Sequence, residues 1–335
     1  MQVSEKYNGA HIHEMPYFYL PDYADFCRNQ NKEEIYIYTD KQNNSIVFKI
    51  WKNKFLIYLQ LQYAPLSQNG ARLTEEKEKQ FLNNFISYIK KNKTAHRICQ
   101  SPTFAVFKNY PDESIYAPFG TYFVDLENNS VETLYKNLHG KHRNVIKNAE
   151  KNTIFIKYGE ETVKDFYSLY KATMQRSSMY CESLNYFKEL HKALENNIVC
   201  GVAYNNQVPQ GALLMPFTKF AAFYLYGASA EKIEITGAMN YLHWNTMQLL
   251  KEKGVKRYDF VGARLGSVGT KLKGIQQFKE RFGATLEKGF LWKKDIHSAK
   301  CKTFDNLLFL KLRMKGQKVP LDIISQELQK TNEES

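Results

Sequence analysis

The chain has 335 residues, of which 43% are hydrophobic and 14% aromatic, and its 47 basic and 34 acidic side chains give a formal net charge of +13. This length predicts two domains of about 150 residues each. No apolar stretch approaches the roughly 20 residues that span a bilayer, so we expect a soluble protein rather than a membrane-spanning one.

The N-terminus and the cysteines bear on location and on bound groups. The first twenty residues show no apolar core of a secretory signal and no lipidation motif, so we expect a cytoplasmic protein. The five cysteines stand singly, without a CxxC pair, which disfavours a disulfide framework or a zinc cage. We therefore expect no metal and no cofactor. The positive charge favours anionic partners such as tRNA, phosphates or an acidic membrane face, with a solvated lysine-rich surface as the alternative.

A first group of elements is predicted in the N-terminal third of the chain. Residues 35–64 are rich in β-branched and aromatic side chains and predict a strand, an Asn-Asn turn and two further strands. Thr74 is placed to cap a helix whose apolar residues recur at helical spacing. A short strand is predicted at 96–102.

The same order of elements returns later in the chain. Residues 198–229 again predict a strand, an Asn-Asn turn and two strands, displaced by 162 positions when Asn43 is set on Asn205. A helix that ends at Gly254 and a strand at 255–262 follow. Repetition at a nearly constant offset implies two copies of one mixed α/β domain.

This repeat sets the predicted domain boundaries. We predict a first domain over 1–150, which ends with the basic helical segment 136–151, and a second domain over 151–325. Two further helices, at 161–180 and 185–196, precede the strands of the second copy and are expected to flank its sheet.

The C-terminal segment mixes leucine and phenylalanine with lysine and arginine. Residues 298–317 predict a closing helix that packs on the body of the protein, with a helix at a membrane surface as the alternative. The chain becomes polar after about residue 325, and we expect a disordered tail over 326–335.

The second copy carries motifs that resemble a known family. They are YLYGAS at 224–229, YDFVGA at 258–263 and GIQQFKERFGATLEKG at 274–289, preceded by GTYFVDL at 120–126. Their order and spacing resemble the FemABX peptidoglycan-bridge aminoacyltransferases. Two positions depart from the pattern, because Val261 and Ala284 stand where this family often has glycine.

The resemblance implies a fold and two substrates. The implied fold is α/β with mixed sheets, built from two tandem GNAT-like acyltransferase domains, and we find no coiled-coil arm of the kind that some members carry. The implied donor is an aminoacyl-tRNA, and the implied acceptor is a lipid- or UDP-linked muropeptide bound in a cleft between the domains. Such an activity belongs to peptidoglycan synthesis in the cytoplasm, with peripheral contact at the inner membrane face as a further option.

Within the family pattern, the Phe278-Lys279 pair is the first candidate for chemistry. The resemblance implicates this pair in transfer, and a cationic Lys279 with Arg281 close by can hold a phosphate, a tRNA terminus or the oxyanion that forms on an ester carbonyl. The alternative is an ordinary basic helix face that packs through Phe278 and Phe282.

Strand residues supply further candidates. Asp259 stands at the end of a predicted strand, where a carboxylate can meet substrate or can simply cap the next loop. Tyr224 and Tyr226 alternate with Leu225, so both are expected to face one side of their strand and to offer hydroxyl groups to a substrate, unless they are half-buried sheet residues.

A glycine-rich segment and scattered cations complete the candidate set. The run GARLGSVGTKLKG begins at Gly262, and its backbone amides can cradle a phosphate, although a flexible lid is the alternative. Under the resemblance, Arg143, Lys147 and Arg176 are candidate diphosphate contacts; taken singly, each is better explained as a solvated charge.

The mechanism that fits these residues needs no protein nucleophile. An amine of the stem peptide attacks the ester carbonyl of the aminoacyl-tRNA, and the enzyme positions the reactants and stabilises charge. Two other functions stay open at this point. One is an N-acyltransferase that uses acyl-CoA on a sugar or small amine, although ITGAMN at 235–240 lacks the full CoA-binding turn. The other is an RNA-binding module without catalysis.

Overall fold

The computed structural model describes residues 2–4, 11–152, 154–266, 269–317, 319 and 321–334. The strands are, in chain order, β1 (Gln2–Ser4), β2 (Glu34–Thr39), β3 (Ser45–Lys52), β4 (Ile57–Leu61), β5 (Arg97–Cys99), β6 (Ile115–Asp125), β7 (Phe155–Tyr158), β8 (Ile198–Asn205), β9 (Val208–Pro216), β10 (Ala222–Phe223), β11 (Tyr226–Ser229), β12 (Arg257–Asp259), β13 (Ala263–Arg264) and β14 (Thr285–Asp295).

The helices alternate with these strands. They are α1 (Pro21–Asn31), α2 (Glu75–Asn92), α3 (Val131–Asn137), α4 (Gly140–Lys151), α5 (Val163–Arg176), α6 (Leu184–Leu194), α7 (Ala238–Glu252), α8 (Thr270–Glu280), α9 (Ser298–Met314) and α10 (Ile323–Glu334). The helix predicted after Thr74 begins as expected, because the Thr74 side chain accepts a hydrogen bond from the N–H of Lys77.

Two sheets carry the fold. The large mixed sheet has the order β1-β2-β3-β4-β5-β14-β6-β12-β10, with β13 also paired to β6, and the small antiparallel sheet has the order β11-β9-β8-β7. Helices and strands alternate on these sheets, so the predicted mixed α/β fold class is confirmed.

The predicted repeat is present in the strand pairing. In the first copy, β3 pairs with β4 antiparallel, α2 follows, and β5 returns parallel to β4. In the second copy, β8 and β9 form the hairpin, α7 follows the third strand, and β12 returns parallel to β10. The copies differ in that third strand, which is continuous as β4 but divided into β10 and β11 in the second copy.

The large sheet contains strands from both sides of residue 150. The late strand β14 lies between β5 and β6, with Lys294 opposite Ile98 at one edge and Leu286 opposite Tyr122 at the other. The two repeats are therefore joined by hydrogen-bonded strands, and the division into domains at 1–150 and 151–325 stays a prediction.

The C-terminal residues differ from the predicted disordered tail. The structure has α10 in place of most of that tail, with Ile324 fully buried and Glu327 paired to Arg264 at 3.0 Å. Lys293 on β14 also pairs with Asp322 at 2.6 Å. This helix was not predicted because its sequence is polar and has no apolar stripe. Its contacts with the body depend on one buried isoleucine and on ion pairs.

The predicted closing helix is α9, and it packs on the body through one face. Cys301 is buried, and its thiol donates to the carbonyl oxygen of His96 at 3.3 Å. In the part of the chain that the structure describes, no helix is both long enough and apolar enough to cross a membrane.

Candidate functional site

The third strand of the second repeat is interrupted at Tyr224 and Leu225. On one side of the interruption, β10 pairs with β12 in the large sheet, and on the other, β11 pairs with β9 in the small sheet. The N–H of Tyr224 donates to the carbonyl oxygen of Asp259 at 2.8 Å, which ties the interruption to the end of β12. The two sheets therefore part beside the YDFVGA motif.

Asp259, at the end of β12, is fully buried and has both carboxylate oxygens occupied. Its Oδ1 accepts from the hydroxyl of Thr121 at 2.5 Å and from the N–H of Val261 at 2.8 Å. Its Oδ2 accepts from Nε of Arg257 at 3.0 Å and forms an ion pair with Nη2 of the same guanidinium, 2.8 Å away. The carboxylate therefore caps the turn that follows β12. This is the alternative to substrate contact that the sequence left open for Asp259.

This turn has an unusual backbone. Val261 has φ of 48° and Gly262 has φ of 54°, so two successive residues lie in the left-handed region. A β-branched residue is strained there, whereas glycine is not. This geometry favours glycine over valine at position 261, and it means that surrounding hydrogen bonds must hold the turn in place.

Lys279 on α8 supplies those hydrogen bonds. Its ammonium donates to the carbonyl oxygen of Val261 and, at 2.6 Å, to that of Gly262. Only 8% of the residue is exposed, and burial lowers the pKa of Lys279 to about 8, against the opposing charge of Asp259. An ammonium has three donors, and among the described residues these two carbonyls are its hydrogen-bond partners, which leaves one N–H available.

Phe278, the neighbour of Lys279, belongs to an aromatic cluster with two histidines. Its ring centroid lies 5.3 Å from that of His142 and 5.5 Å from that of His243, and Phe282 packs at 5.1 Å. The cluster anchors the C-terminal end of α8, the end that carries Lys279. The two interpretations of this segment are therefore compatible. Phe278 and Phe282 pack in the cluster, and Lys279 has a defined position.

His243 was not predicted from the sequence as a site residue, and it lies fully buried beside Tyr224. Its Nδ1 lies 2.6 Å from the hydroxyl of Tyr258, and burial lowers the pKa of His243 to about 3, so the ring is neutral. No partner for its Nε2 lies among the described residues. Helical spacing from the apolar Met239, Met247 and Leu250 indicates that this polar residue lies on the buried face of α7.

The prediction that Tyr224 and Tyr226 face the same side is wrong. Tyr224 packs on His243, with ring centroids 4.6 Å apart, whereas Tyr226 packs on Phe187 at 5.0 Å in the other hydrophobic core. The strict alternation of a strand does not apply, because the strand is interrupted between them. Burial raises the pKa of Tyr226 to about 12 and that of Tyr224 still further.

The predicted phosphate-binding cations lie on different elements. Arg143 on α4 donates to the carbonyl oxygens of Lys136 and Leu138 and so caps α3. Arg176 at the end of α5 is exposed and donates to the carbonyl oxygen of Ser229 on β11 at 3.0 Å.

The remaining two predicted cations are near the surface. Arg281 donates to Gln277 on its own helix at 2.7 Å, and its carbonyl oxygen accepts from the N–H of His139. Lys147 is exposed on α4. The bond to His139 joins Arg281 to the start of α4, but these contacts do not bring the predicted cations together around one point.

The glycine-rich segment is only partly described. Residues 267–268 lie outside the described residues, as do the side chains at 270–271, so the predicted phosphate cradle is described at its glycines but not between Gly266 and Gly269. In the described part of the chain, no cluster of histidine, cysteine and carboxylate side chains has the arrangement of a metal site.

A buried charge network continues from Asp259 into the first repeat. Arg257 pairs with Glu287 at 2.6 Å as well as with Asp259, and Glu287 also pairs with Arg72 at 3.1 Å. Burial alone would raise the pKa of Glu287, but the positive charges of Arg257 and Arg72 outweigh it and hold that pKa below its ordinary value. Arg72 in turn lies 3.7 Å from the buried Glu78 on α2. The network therefore fixes β12 against both repeats.

Comparison with known families and structures agrees with the fold. A model described as the FemAB family matches residues 109–210 and 202–290, which together make up more than half of the chain. No curated protein matches the chain.

Two solved structures have a similar fold. A crystal structure of FemX aligns with a TM-score of 0.62 and 12% identity, over 87% of this chain and 97% of that one. The structure of L-PGS from Bacillus licheniformis aligns with a TM-score of 0.50 and 13% identity, over 80% and 86% of the two chains. At these identities the two structures bear on the fold alone.

Proposed function

The chain belongs to the FemAB family of acyltransferases, and we propose that it transfers an aminoacyl group from an aminoacyl-tRNA to an amine of a peptidoglycan precursor. In this reaction the amine nitrogen forms a bond to the ester carbonyl carbon, and the bond from that carbon to the tRNA ribose oxygen breaks. The ribose hydroxyl leaves with a proton, and one amide branch is formed.

The observation that carries this proposal is the position of Lys279. It is a buried cation with one N–H available, located beside the interruption between β10 and β11. Developing negative charge on the carbonyl oxygen of the tetrahedral intermediate is stabilised most by a donor that is already oriented and shielded from water. The two turn carbonyls orient Lys279 in that way, so the third N–H is the donor that we assign to the oxyanion.

Asp259 has a positioning role in this proposal rather than a direct one. Its oxygens are occupied by Thr121, Val261 and Arg257, and none of its surface is exposed. By holding the N–H of Val261 it fixes the turn, and the turn fixes Lys279. Proton removal from the attacking amine is then assigned to groups of the substrates, since the tRNA ester is already activated.

The charge of the protein suits both proposed substrates. A net charge of +13 attracts a tRNA and a diphosphate-linked precursor at long range. Arg143, Lys147, Arg176 and Arg281 are proposed as phosphate contacts around the site. Lys147 is exposed and has no ion-pair partner among the residues that the structure describes. Arg143 and Arg176 must bind phosphate with the guanidinium nitrogens that do not hold backbone carbonyls.

The rival acyl-CoA reaction has less support. CoA-dependent enzymes of related fold bind a pyrophosphate at a helix N-terminus, and the equivalent helix in this chain is α7. Its N-cap, Gly237, packs so closely on α4 that an added Cβ would lie 2.2 Å from the carbonyl oxygen of Val145. Asn148 also donates to the carbonyl oxygen of Thr236 at 3.1 Å. Helix α4 therefore covers the position that a pyrophosphate would occupy.

The test is mass spectrometry of a muropeptide acceptor incubated with the protein and a mixture of charged tRNAs. We expect a tRNA-dependent gain of one amino-acid residue. Lys279→Ala should lower the initial rate about 100-fold, the usual effect of removing one oxyanion donor. Lys273→Ala is the matched control, because Lys273 is an exposed lysine of the same helix.

The alternatives give different products. Acylation with acetyl-CoA in place of charged tRNA would assign the protein to the CoA-dependent class. Salt-sensitive tRNA binding with no product from any acceptor would favour the non-catalytic RNA-binding function. Equal rates for Lys279→Ala and Lys273→Ala would show that Lys279 does not act on the reacting atoms.

A further inference from the structure

Helix α9 carries an apolar face that the protein does not cover. One side of the helix is anchored by the buried Cys301. On another side lie Leu307, Leu310 and Met314, which we call the α9 stripe and which are 53%, 54% and 82% exposed. Their spacing of three and four residues places them in one row along the helix. Phe309 is also 51% exposed.

A row of large exposed apolar side chains on one helix marks an interaction surface. Single exposed hydrophobic residues are ordinary, but a contiguous group costs solvation free energy and is normally covered by something. The stripe runs from Leu307 to Met314, so it extends about 10 Å along the C-terminal half of the 17-residue helix α9. Its partner must therefore accept an elongated apolar ridge.

The charges on and beside α9 are almost all positive. Lys302, Lys311, Arg313 and Lys315 are exposed, and in the described part of the chain none of them forms an ion pair. The acidic residue of α9 is Asp305, which pairs with Arg97 at 2.6 Å, an arginine that also pairs with Asp295. The surface around the stripe therefore presents unpaired cations and no free carboxylate from the helix itself.

We propose that α9 is an interfacial helix that docks the protein on an anionic lipid bilayer, with the α9 stripe inserted at the level of the headgroups. A helix with exposed apolar residues flanked by lysine and arginine has the chemistry of such a surface, because buried apolar area and attraction to anionic lipids add together. A second copy of the chain is a poorer occupant, since it would bring the same cations against each other. The proposal does not depend on the transfer reaction.

The test is co-sedimentation of the full chain with vesicles. We expect binding to vesicles of phosphatidylcholine and phosphatidylglycerol, weak binding to phosphatidylcholine alone, and loss of binding at high salt. The variant Leu307→Asn/Leu310→Asn/Met314→Asn should bind at least about tenfold more weakly, and Lys311→Glu/Arg313→Glu should show a similar loss. All five positions are outside the core, so thermal unfolding should be unchanged.

Matched controls separate this surface from general charge and hydrophobicity. Lys90→Glu/Lys91→Glu makes the same change in net charge on α2, and Ile233→Asn/Met179→Asn removes exposed apolar side chains elsewhere. Both controls should bind anionic vesicles as the unmodified protein does. The proposal is overturned if the α9 variants and the controls bind equally, if no vesicle is bound, or if the unmodified protein sediments as a dimer that the stripe variant abolishes.

Discussion

Lys279 donates a 2.6 Å hydrogen bond to the carbonyl oxygen of Gly262, 17 residues earlier in the chain. This contact joins the C-terminal end of α8 to the turn after β12. It places a buried cation beside the point where the two sheets part. The proposed chemistry depends on this cation being charged, and the burial of Lys279 makes its charge sensitive to pH near the physiological range.

We therefore expect transfer to decline at alkaline pH. Because burial lowers the pKa of Lys279 to about 8, the ammonium is present below that pH and is lost as the pH rises through it. The initial rate of transfer, corrected for uncatalysed hydrolysis of the tRNA ester, should fall above pH 8. In Lys279→Arg the cation persists at all accessible pH values, so any residual activity should not show this fall. The same alkaline decline in both proteins would contradict the assignment.

The strained turn makes a prediction about stability. Val261→Ala and Val261→Gly both remove the two γ-methyl groups of valine, but only glycine accepts φ of 48° without steric conflict. We expect the glycine variant to be more stable than the alanine variant by about 1 kcal/mol in denaturant unfolding. At Val145, inside α4, the order should reverse, because glycine weakens a regular helix. Alanine as the better residue at both positions would count against strain at Val261.

The buried His243 predicts a loss of stability in mild acid. The pKa of His243 is lowered from 6.5 to about 3 by burial, so below pH 6.5 the unfolded chain gains a proton that the folded chain does not. This difference in proton binding stabilises the fold above pH 6.5, and the stabilisation is lost progressively as the pH falls towards 3. The melting temperature of His243→Asn should therefore depend less on pH between 6.5 and 4.5. His13→Asn, at an exposed position, is the control, and its melting temperature should depend on pH as that of the unmodified protein does. The prediction is wrong if His243→Asn shows that same dependence.

Several parts of this molecule could be predicted from its sequence because they depend on local pattern. Strands, turns and helices repeat with an offset of 162 positions between Asn43 and Asn205, and their type and order follow from side-chain periodicity and capping. The family motifs likewise drew attention to Lys279 and Asp259.

Other parts depend on distant contacts that no local pattern contains. Asp259 is occupied by Thr121, 138 residues away, and the place of β14 between β5 and β6 follows from sheet assembly. The strand interruption between Tyr224 and Tyr226 also depends on distant partners, because β10 pairs with β12 and β11 pairs with β9. A prediction from strict strand alternation therefore placed Tyr226 on the wrong side.

The last prediction concerns Glu287, which connects the repeats through Arg72 and Arg257. Glu287→Gln leaves two guanidinium groups largely buried without their shared carboxylate, so we expect the free energy of unfolding to fall by about 2 kcal/mol at neutral pH. Because these arginines hold the pKa of Glu287 below its ordinary value, the difference should disappear as the pH falls through that lowered pKa and the carboxylate is protonated.

The comparison that isolates this network is a double-mutant cycle of Glu287→Gln with Arg72→Met, followed by urea unfolding. The second substitution should cost less in the Glu287→Gln background, because the pair then no longer exists. Glu252→Gln, an exposed site on α7, is the control and should change stability by less than about 0.5 kcal/mol. Strictly additive effects of the two substitutions would mean that the Arg72–Glu287 contact does not couple the two repeats.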